Sequence, residues 1–237
     1  MFRHIKIIAF DLDDTLWPCM PVIEQAEATL FHWLAKQYPR ITQDVDQEGM
    51  VNKRLAFAHK NPQLAVDLTE LRKQFLFELG QEAGYQPIEV SRRGFDVFFH
   101  ARQQVSFYDD VFPVFERLIR RYRLGSISNG NACVKSVGLS DWFEHSISAP
   151  EIKAAKPDLI VYQALAECFE VDMHEILYVG DNPMLDVVGA IDAGFQAVWI
   201  NREGTAWPEH LAQPQFSVPN LHELDRILLE NDGIKPT

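Results

Sequence analysis

Four groups of polar residues in this chain have the types and spacing to do chemistry. Asp11, Asp13 and Asp14 close the run IKIIAFDLDDTL, and Ser128, Asn129 and Gly130 close LGSISNGN. Lys156 precedes Pro157 in AAKPDLIVYQAL, and Asp181 and Asp186 follow Gly180 in ILYVGDNPMLDVVGA. Taken singly, each has a structural reading: a tight turn, a helix cap, an exposed lysine, a second cap. The first motif by itself is either a turn or the floor of a site. Taken together, the groups supply a nucleophile, a hydroxyl, a cation and a cage of carboxylates. Asp181 sits at a strand tip and Asp186 in the first turn of a helix begun by Pro183, so both side chains can converge on one point. Two unit charges ~4 Å apart repel by roughly 4 kcal/mol at an effective dielectric near 20, and Asp11 and Asp13 add to that. Such a cluster needs a cation. Its all-oxygen character suits Mg²⁺ better than zinc, which prefers nitrogen and sulfur.

The elements that must position these groups are readable from hydrophobic texture. Ile5, Ile7, Ile8, Ala9 and Phe10 form a short β-branched run that suits a strand buried on both faces and stops at Asp11. After Pro18 the apolar spacing becomes helical, predicting helices near 21–37, 43–59, 65–83 and 88–105, separated by Pro39, Asn61-Pro62 and Gly84–Pro87. From about 110 helices and short apolar strands alternate: helix 111–121, strand 123–128, helix 131–137, strand 145–148, helix 157–168, strand 176–179, helix 184–193 and strand 195–200. This alternation implies right-handed βαβ units in a parallel sheet with helices on both faces. The expected fold class is therefore α/β, a Rossmann-like parallel sheet core with an inserted all-helical subdomain. The core is made of residues 1–16 and 106–237, and the helical insertion of 17–105. All four polar groups fall at carboxyl ends of strands in one sheet, the edge where open α/β sheets bind ligands. Ser128 to Gly130 is expected to open a helix whose free N–H groups attract anions. Lys156, placed before a helix-starting proline, opposes the helix dipole and needs a compensating anion or solvent.

Bulk properties narrow the partners. The 237 residues are 47% hydrophobic and 24% charged, with no repeat or low-complexity segment, so a single ordinary globular core with an insertion fits. A formal charge of −12 argues against a nucleic-acid groove or an anionic membrane surface and favours a small substrate. The one basic cluster, Arg117, Arg120, Arg121 and Arg123, reads as the end of a helix. Cys19, Cys133 and Cys168 are too scattered for a disulfide framework or a zinc site. With no secretory signal and no apolar run of spanning length, the expected location is the cytoplasm, as a monomer or homodimer.

The ordered set resembles the haloacid dehalogenase superfamily, whose motifs are D-x-D-x-T after the first strand, Ser or Thr after the second, a Lys, and G-D-x-x-x-x-D. Here they are Asp11, Asp13 and Thr15; Ser128; Lys156; and Asp181 with Asp186. The insertion after the first motif is similar to the cap of that superfamily's subfamily I. The segments ISNGNA and DVVGAIDAGFQAVWIN look like a bacterial subgroup containing the flavin mononucleotide phosphatase YigB. The resemblance implies a Mg²⁺-dependent phosphatase of a small phosphorylated metabolite, flavin mononucleotide or another riboflavin-pathway phosphate among the candidates. Asp11 would be the nucleophile that becomes an aspartyl phosphate, and Asp13 the general acid and then base. Ser128 and Lys156 would hold and neutralise the phosphoryl group, with Leu12, Thr15, Asn129 and Gly130 lining its site. Asp11, the Asp13 carbonyl and Asp181 would hold Mg²⁺, with Asp186 coordinating directly or through water.

Related readings share much of this set. A phosphotransferase or sugar-phosphate mutase would use the same intermediate with another acceptor, and a regulatory phospho-acceptor module would use similar residues without turnover. Superfamily members that cleave carbon–halogen bonds usually resemble D-x-Y at the first motif, which Asp13 does not match. Trp17 to Met20 are expected to form the hinge into the insertion. The insertion's aromatics, among them Phe31, Trp33, Phe75, Phe95, Phe98 and Phe99, read as core at helical spacing. Asp14 is expected to brace the turn, and Asn182, like Asn129, to bond near the reacting group.

Overall fold

A computed structural model describes residue 2 and residues 4–231. The chain divides into two compact units: Met1–Pro18, Ser106–Gly130 and Val134–Thr237 in one, Cys19–Val105 with Asn131–Cys133 in the other. Trp17 and Pro18 thus fall with the first unit, and a short segment beyond Gly130 falls with the second.

The first unit is built on a six-stranded sheet: β1 (Ile7–Phe10), β2 (Arg123–Ser128), β3 (His145–Ser148), β4 (Ile176–Gly180), β5 (Gln196–Ile200) and β6 (Ser217–Val218). The strands lie in the order β3-β2-β1-β4-β5-β6 and every pairing is parallel. Both β1 and β4 are buried throughout, as unbroken apolar runs require when helices cover both faces of a sheet. Phe10 packs on Phe115 of helix Val111–Leu118 at 5.0 Å between ring centroids. Ile7 and Ala9, pointing the other way, join a core with Val161, Tyr162, Leu165 and Phe169 of helix Leu159–Phe169. Gly125 is forced by this packing, since a Cβ there would lie 2.6 Å from the Phe169 ring. The strand order reverses direction between β1 and β4, and such a switch point leaves a crevice at the carboxyl edge.

Several expectations need correction. Residues 131–137 are irregular rather than helical. Gln103 explains this: its Oε1 accepts the Cys133 N–H at 2.7 Å and its Nε2 donates to the Asn131 carbonyl at 3.4 Å, meeting needs a helix would otherwise meet. The helix after Lys156 begins at Leu159, with Asp158 capping the Ile160 N–H at 3.0 Å, so Pro157 precedes the cap. β6 and the helices Ala149–Ile152 and Leu221–Asn231 are additional to the sequence expectation. The basic cluster is used in ion pairs: Arg117 and Arg121 share the buried Asp225, and Arg123 pairs with Glu144.

The second unit is helical: Cys19–Gln37, Pro39–Thr42, Gln47–Lys60, Leu68–Glu82 and Pro87–Arg102, with a 3₁₀ turn at Pro62–Leu64. Side-chain oxygens of Asp46 and Asp67 cap the third and fourth of these. Phe75, Phe95 and Phe98 lie in its core, with Phe31, Trp33 and Phe99 partly buried against it. The unit also buries charge. Glu27 takes two bonds from Arg72, at 2.8 and 3.1 Å, and Arg54 Nε lies 2.8 Å from the same carboxylate. Among the described residues, no helix is long and apolar enough to cross a membrane.

Candidate active site

The loop after β1 is a tight turn whose side chains reach the acidic cluster. Asp14 N–H donates to the Trp17 carbonyl at 2.7 Å and Leu16 N–H to the Leu12 carbonyl at 2.8 Å, closing residues 11–17 on themselves. Asp14 turns the chain at φ +58°, a left-handed conformation that Asp tolerates better than most residues. Trp17 Nε1 donates to Asp13 Oδ1 at 2.8 Å and so fixes the carboxylate that the family resemblance implies as acid and base. Thr15 Oγ1 donates to Asp181 Oδ1 at 3.3 Å, joining this loop to the end of β4. The Leu12 side chain is buried, so only its main chain can serve a ligand.

Arg202 holds the loop from below. Its Nε donates to the Thr15 carbonyl at 2.9 Å, and its two terminal nitrogens bond both oxygens of the buried Asp110 at 3.0 and 3.1 Å. Asp110 in turn accepts the Leu221 N–H at 2.7 Å, so the loop after β1 is tied to the start of helix Leu221–Asn231. Trp199 Nε1 donates to the Asp181 carbonyl at 2.7 Å and steadies the β4 terminus from β5.

Lys156 is the centre of the arrangement. Only 5% exposed, its Nζ donates to Asp11 Oδ1 and Asp186 Oδ1, each at 2.6 Å, and to the Tyr178 hydroxyl at 2.9 Å. The compensating anion for a cation at a helix entrance is therefore a pair of carboxylates. Asn129 sets the lysine's backbone: its Nδ2 donates to the Lys156 carbonyl at 2.9 Å and its Oδ1 accepts the Lys156 N–H at 2.7 Å. The Asn129 side-chain amide is thus engaged with the Lys156 backbone, leaving its main chain for the phosphoryl group. Asn182 is likewise occupied, its Oδ1 capping Met184 and Leu185. Ser128 Oγ accepts the Gly130 N–H at 3.0 Å, which leaves the hydroxyl proton for another acceptor. With no helix following Gly130, an anion here would meet local donors and no helix dipole.

Asp186 reaches the site from a π-helical turn, Pro183–Val188, whose wider radius is a common device where a side chain must be turned inward. Its second oxygen accepts the Asn182 N–H at 2.8 Å. The approach depends on Gly180, where a Cβ would lie 2.4 Å from the Asp186 carboxyl carbon. Gly180→Ala is expected to push Asp186 off Lys156, lowering turnover by about tenfold or more and stability by ~1–3 kcal/mol. Comparing steady-state rates and thermal melts with the parent checks this, and an unperturbed rate would contradict it.

Oxygens of Asp11, Asp181 and Asp186 lie within 4.8 Å of one another. Burial pushes the Asp11 carboxyl well up, more than Lys156 lowers it, and Asp186 and Asp181 add to the rise. Burial, then Asp186 and Asp14, push Asp181 up to about 7. Burial works against the Lys156 ammonium, but Asp11 and Asp186 outweigh it and hold its pKa well above the ordinary value. The three carboxylates and one ammonium leave two negative charges, a set that fits one divalent cation with oxygen ligands. The Asp13 carboxylate, expected near the metal only through its carbonyl, is not one of the three.

Sequence reasoning passed over Tyr178, Arg202, Asp110 and the bracing role of Trp17. Tyr178 sits in an apolar strand and reads as core; Arg202 and Asp110 meet across 92 residues, with no local spacing to connect them.

Comparisons with known proteins place the chain among hydrolases. The chain is 29% identical over 232 residues to the 5-amino-6-(5-phospho-D-ribitylamino)uracil phosphatase YigB of Escherichia coli (strain K12), covering 95% of this chain and 97% of that protein. It is 27% identical over 224 residues to an (S)-2-haloacid dehalogenase of Pseudomonas sp. (strain YL), 92% of each. The crystal structure of a 2-haloacid dehalogenase from Pseudomonas syringae pv. Tomato DC3000 matches with a TM-score of 0.87 and 36% identity, over 95% of this chain and 99% of that one. The model of one family, haloacid dehalogenase-like hydrolase, matches residues 5–194, and the chain belongs to that family of hydrolases.

Proposed function

We propose that the protein is a Mg²⁺-dependent phosphatase that hydrolyses a small phosphorylated metabolite through an aspartyl phosphate on Asp11. The observation that carries this reading is Asp13, a carboxyl group two residues beyond Asp11 and fixed by Trp17. An oxygen leaving group needs a proton as its bond breaks, whereas a halide leaves as a stable anion and needs none. An acid at this position is useful for phosphate esters and idle for carbon–halogen bonds.

In the first step an Asp11 oxygen attacks phosphorus, the bond from phosphorus to the ester oxygen breaks, and that oxygen takes the Asp13 proton. In the second, Asp13 as carboxylate takes a proton from water, whose oxygen attacks phosphorus and releases Asp11. The sum is ester plus water to alcohol plus phosphate. Lys156 neutralises charge on Asp11 and then on the phosphoryl group, and Ser128 with the nearby N–H groups bonds the phosphoryl oxygens. Mg²⁺ held by Asp11 and Asp181 would neutralise phosphoryl charge; Asp186, with both oxygens already accepting bonds, suits a contact through water.

The relative YigB, by its name a phosphatase of a phosphorylated ribitylaminouracil, supports a riboflavin-pathway phosphate or flavin mononucleotide as substrate. The net charge of −12 supports a small molecule over nucleic acid. A second reading, hydrolysis of 2-haloacids, has the Pseudomonas syringae structure behind it. One assay separates the two: purified protein with Mg²⁺ is offered flavin mononucleotide, other phosphate esters of that pathway, sugar phosphates, nucleotides and 2-chloropropionate. Phosphate release is expected from at least one ester, with no chloride release. Chloride without phosphate would replace this reading by the second.

A further inference from the structure

The proposed chemistry leaves the Tyr178 hydroxyl without a task, although it is fully buried beside the reacting groups. The phenol has one proton, and the Ile127 carbonyl, 2.8 Å away, can only accept. The proton therefore points to Ile127, and the phenol oxygen offers its lone pair to Lys156 at 2.9 Å. The ammonium has three protons and three acceptors, Asp11, Asp186 and Tyr178, so its orientation is fixed on every side. The far end of the chain of bonds is β2, one residue before Ser128. Tyr178 reaches it from β4 across β1, where the residue in register with it is the small Ala9.

We propose that Tyr178 is a positioning residue: an uncharged pivot that holds the Lys156 ammonium while one of its hydrogen bonds passes from the Asp11 carboxylate to the phosphoryl group. This rests on the aspartyl-phosphate reading above. When Asp11 becomes an acyl phosphate it loses its own negative charge, one charge having left on the alcohol oxygen that takes the Asp13 proton, and the phosphoryl oxygens become the anion that the ammonium must follow. Of the remaining partners, Asp186 belongs to the acidic cluster, so Tyr178 is the partner whose hold does not change with the charge of that cluster. The same residue ties the lysine to the strand that presents Ser128, keeping the two phosphoryl contacts in step.

Tyr178→Phe removes only the hydroxyl. Expected is a fall in kcat of about tenfold or more with KM within about threefold of the parent, because ground-state binding survives and orientation in the transition state does not. In a Lys156→Met background the same change should cost nothing further, since Tyr178 acts through Lys156. An unchanged kcat, or an equal loss in both backgrounds, would overturn the proposal. A second measurement needs no turnover: in ¹⁵N NMR the parent should show a lysine ammonium signal protected from water, absent in Lys156→Met and lost or shifted in Tyr178→Phe. A signal untouched by Tyr178→Phe would also overturn it. Should Tyr178→Phe fail to fold, Tyr178→His carries both measurements. A parent that releases phosphate from no ester refutes the phosphatase reading, and the NMR result still decides whether Tyr178 holds Lys156.

Discussion

Asp11→Asn is expected to lower phosphate release by a factor of roughly 10³ or more while leaving the fold intact. The amide has nearly the shape of the carboxylate, so the loop closed by Asp14, Leu16 and Trp17 should form unchanged. It also keeps an oxygen that can accept from Lys156, which lies 2.6 Å from Asp11 Oδ1. What it lacks is a nucleophilic oxygen with a full charge, and no neighbouring group replaces it. Asp181 and Asp186 lie on other segments, each oriented by its own bonds, to Thr15, Lys156 and Asn182. Folding should not suffer, and the melting temperature without metal should hold or rise, because burial, with Asp186 and Asp181 beside it, pushes the Asp11 carboxyl well up and the amide carries no charge there. Phosphate release beside a thermal melt checks both halves. A variant retaining a tenth of the parent rate would show that Asp11 is not the nucleophile.

How much of this was legible in the sequence depends on how local the signal was. The strands β1, β4 and β5 announce themselves as short apolar runs, Asp11 and Asp181 appear where the first two of them end, and Ser128 ends the more mixed β2. The helical unit declares itself by spacing, and its breakers are ordinary ones. Failures follow longer connections. Nothing near residues 131–137 says that Gln103, some thirty positions earlier, meets the backbone needs of Asn131 and Cys133. The hold of the Asn129 side chain on the Lys156 backbone spans 27 residues and leaves no local trace. Tyr178 was invisible for a different reason: its hydroxyl reaches the Ile127 carbonyl across β1, where Ala9 is in register with it, and register is a property of the assembled sheet. The helix Leu221–Asn231 is an exception, since Leu221, Leu224 and Leu228 carry a readable helical spacing.

Removing divalent metal is expected to reduce activity by about a hundredfold or more, with Mg²⁺ restoring it, and the stabilising effect of Mg²⁺ should grow with pH. Three carboxylates against one ammonium leave two negative charges at one point, and without a cation that excess is relieved by taking up protons. Asp181, pushed up to about 7 chiefly by burial, takes one near neutrality, and Asp11 is pushed up in the same direction. The sign follows from comparing the two states. Unfolded, Asp181 titrates near its ordinary value of 3.8; folded without metal, near 7. Between those values the folded chain holds a proton that the unfolded chain has lost. The contribution to stability is therefore complete below about pH 4 and is lost as pH rises through about 7. Metal-free protein should melt several degrees lower at pH 8 than at pH 5.5. Mg²⁺ competes with that proton, so its binding strengthens over the same interval and the gap between melts with and without Mg²⁺ should widen from pH 5.5 to pH 8. Thermal melts in EDTA and in Mg²⁺ at the two pH values measure this directly, beside phosphate release under the same conditions. A gap that does not change with pH would separate Asp181 from the metal, and full activity in EDTA would remove the metal from the mechanism.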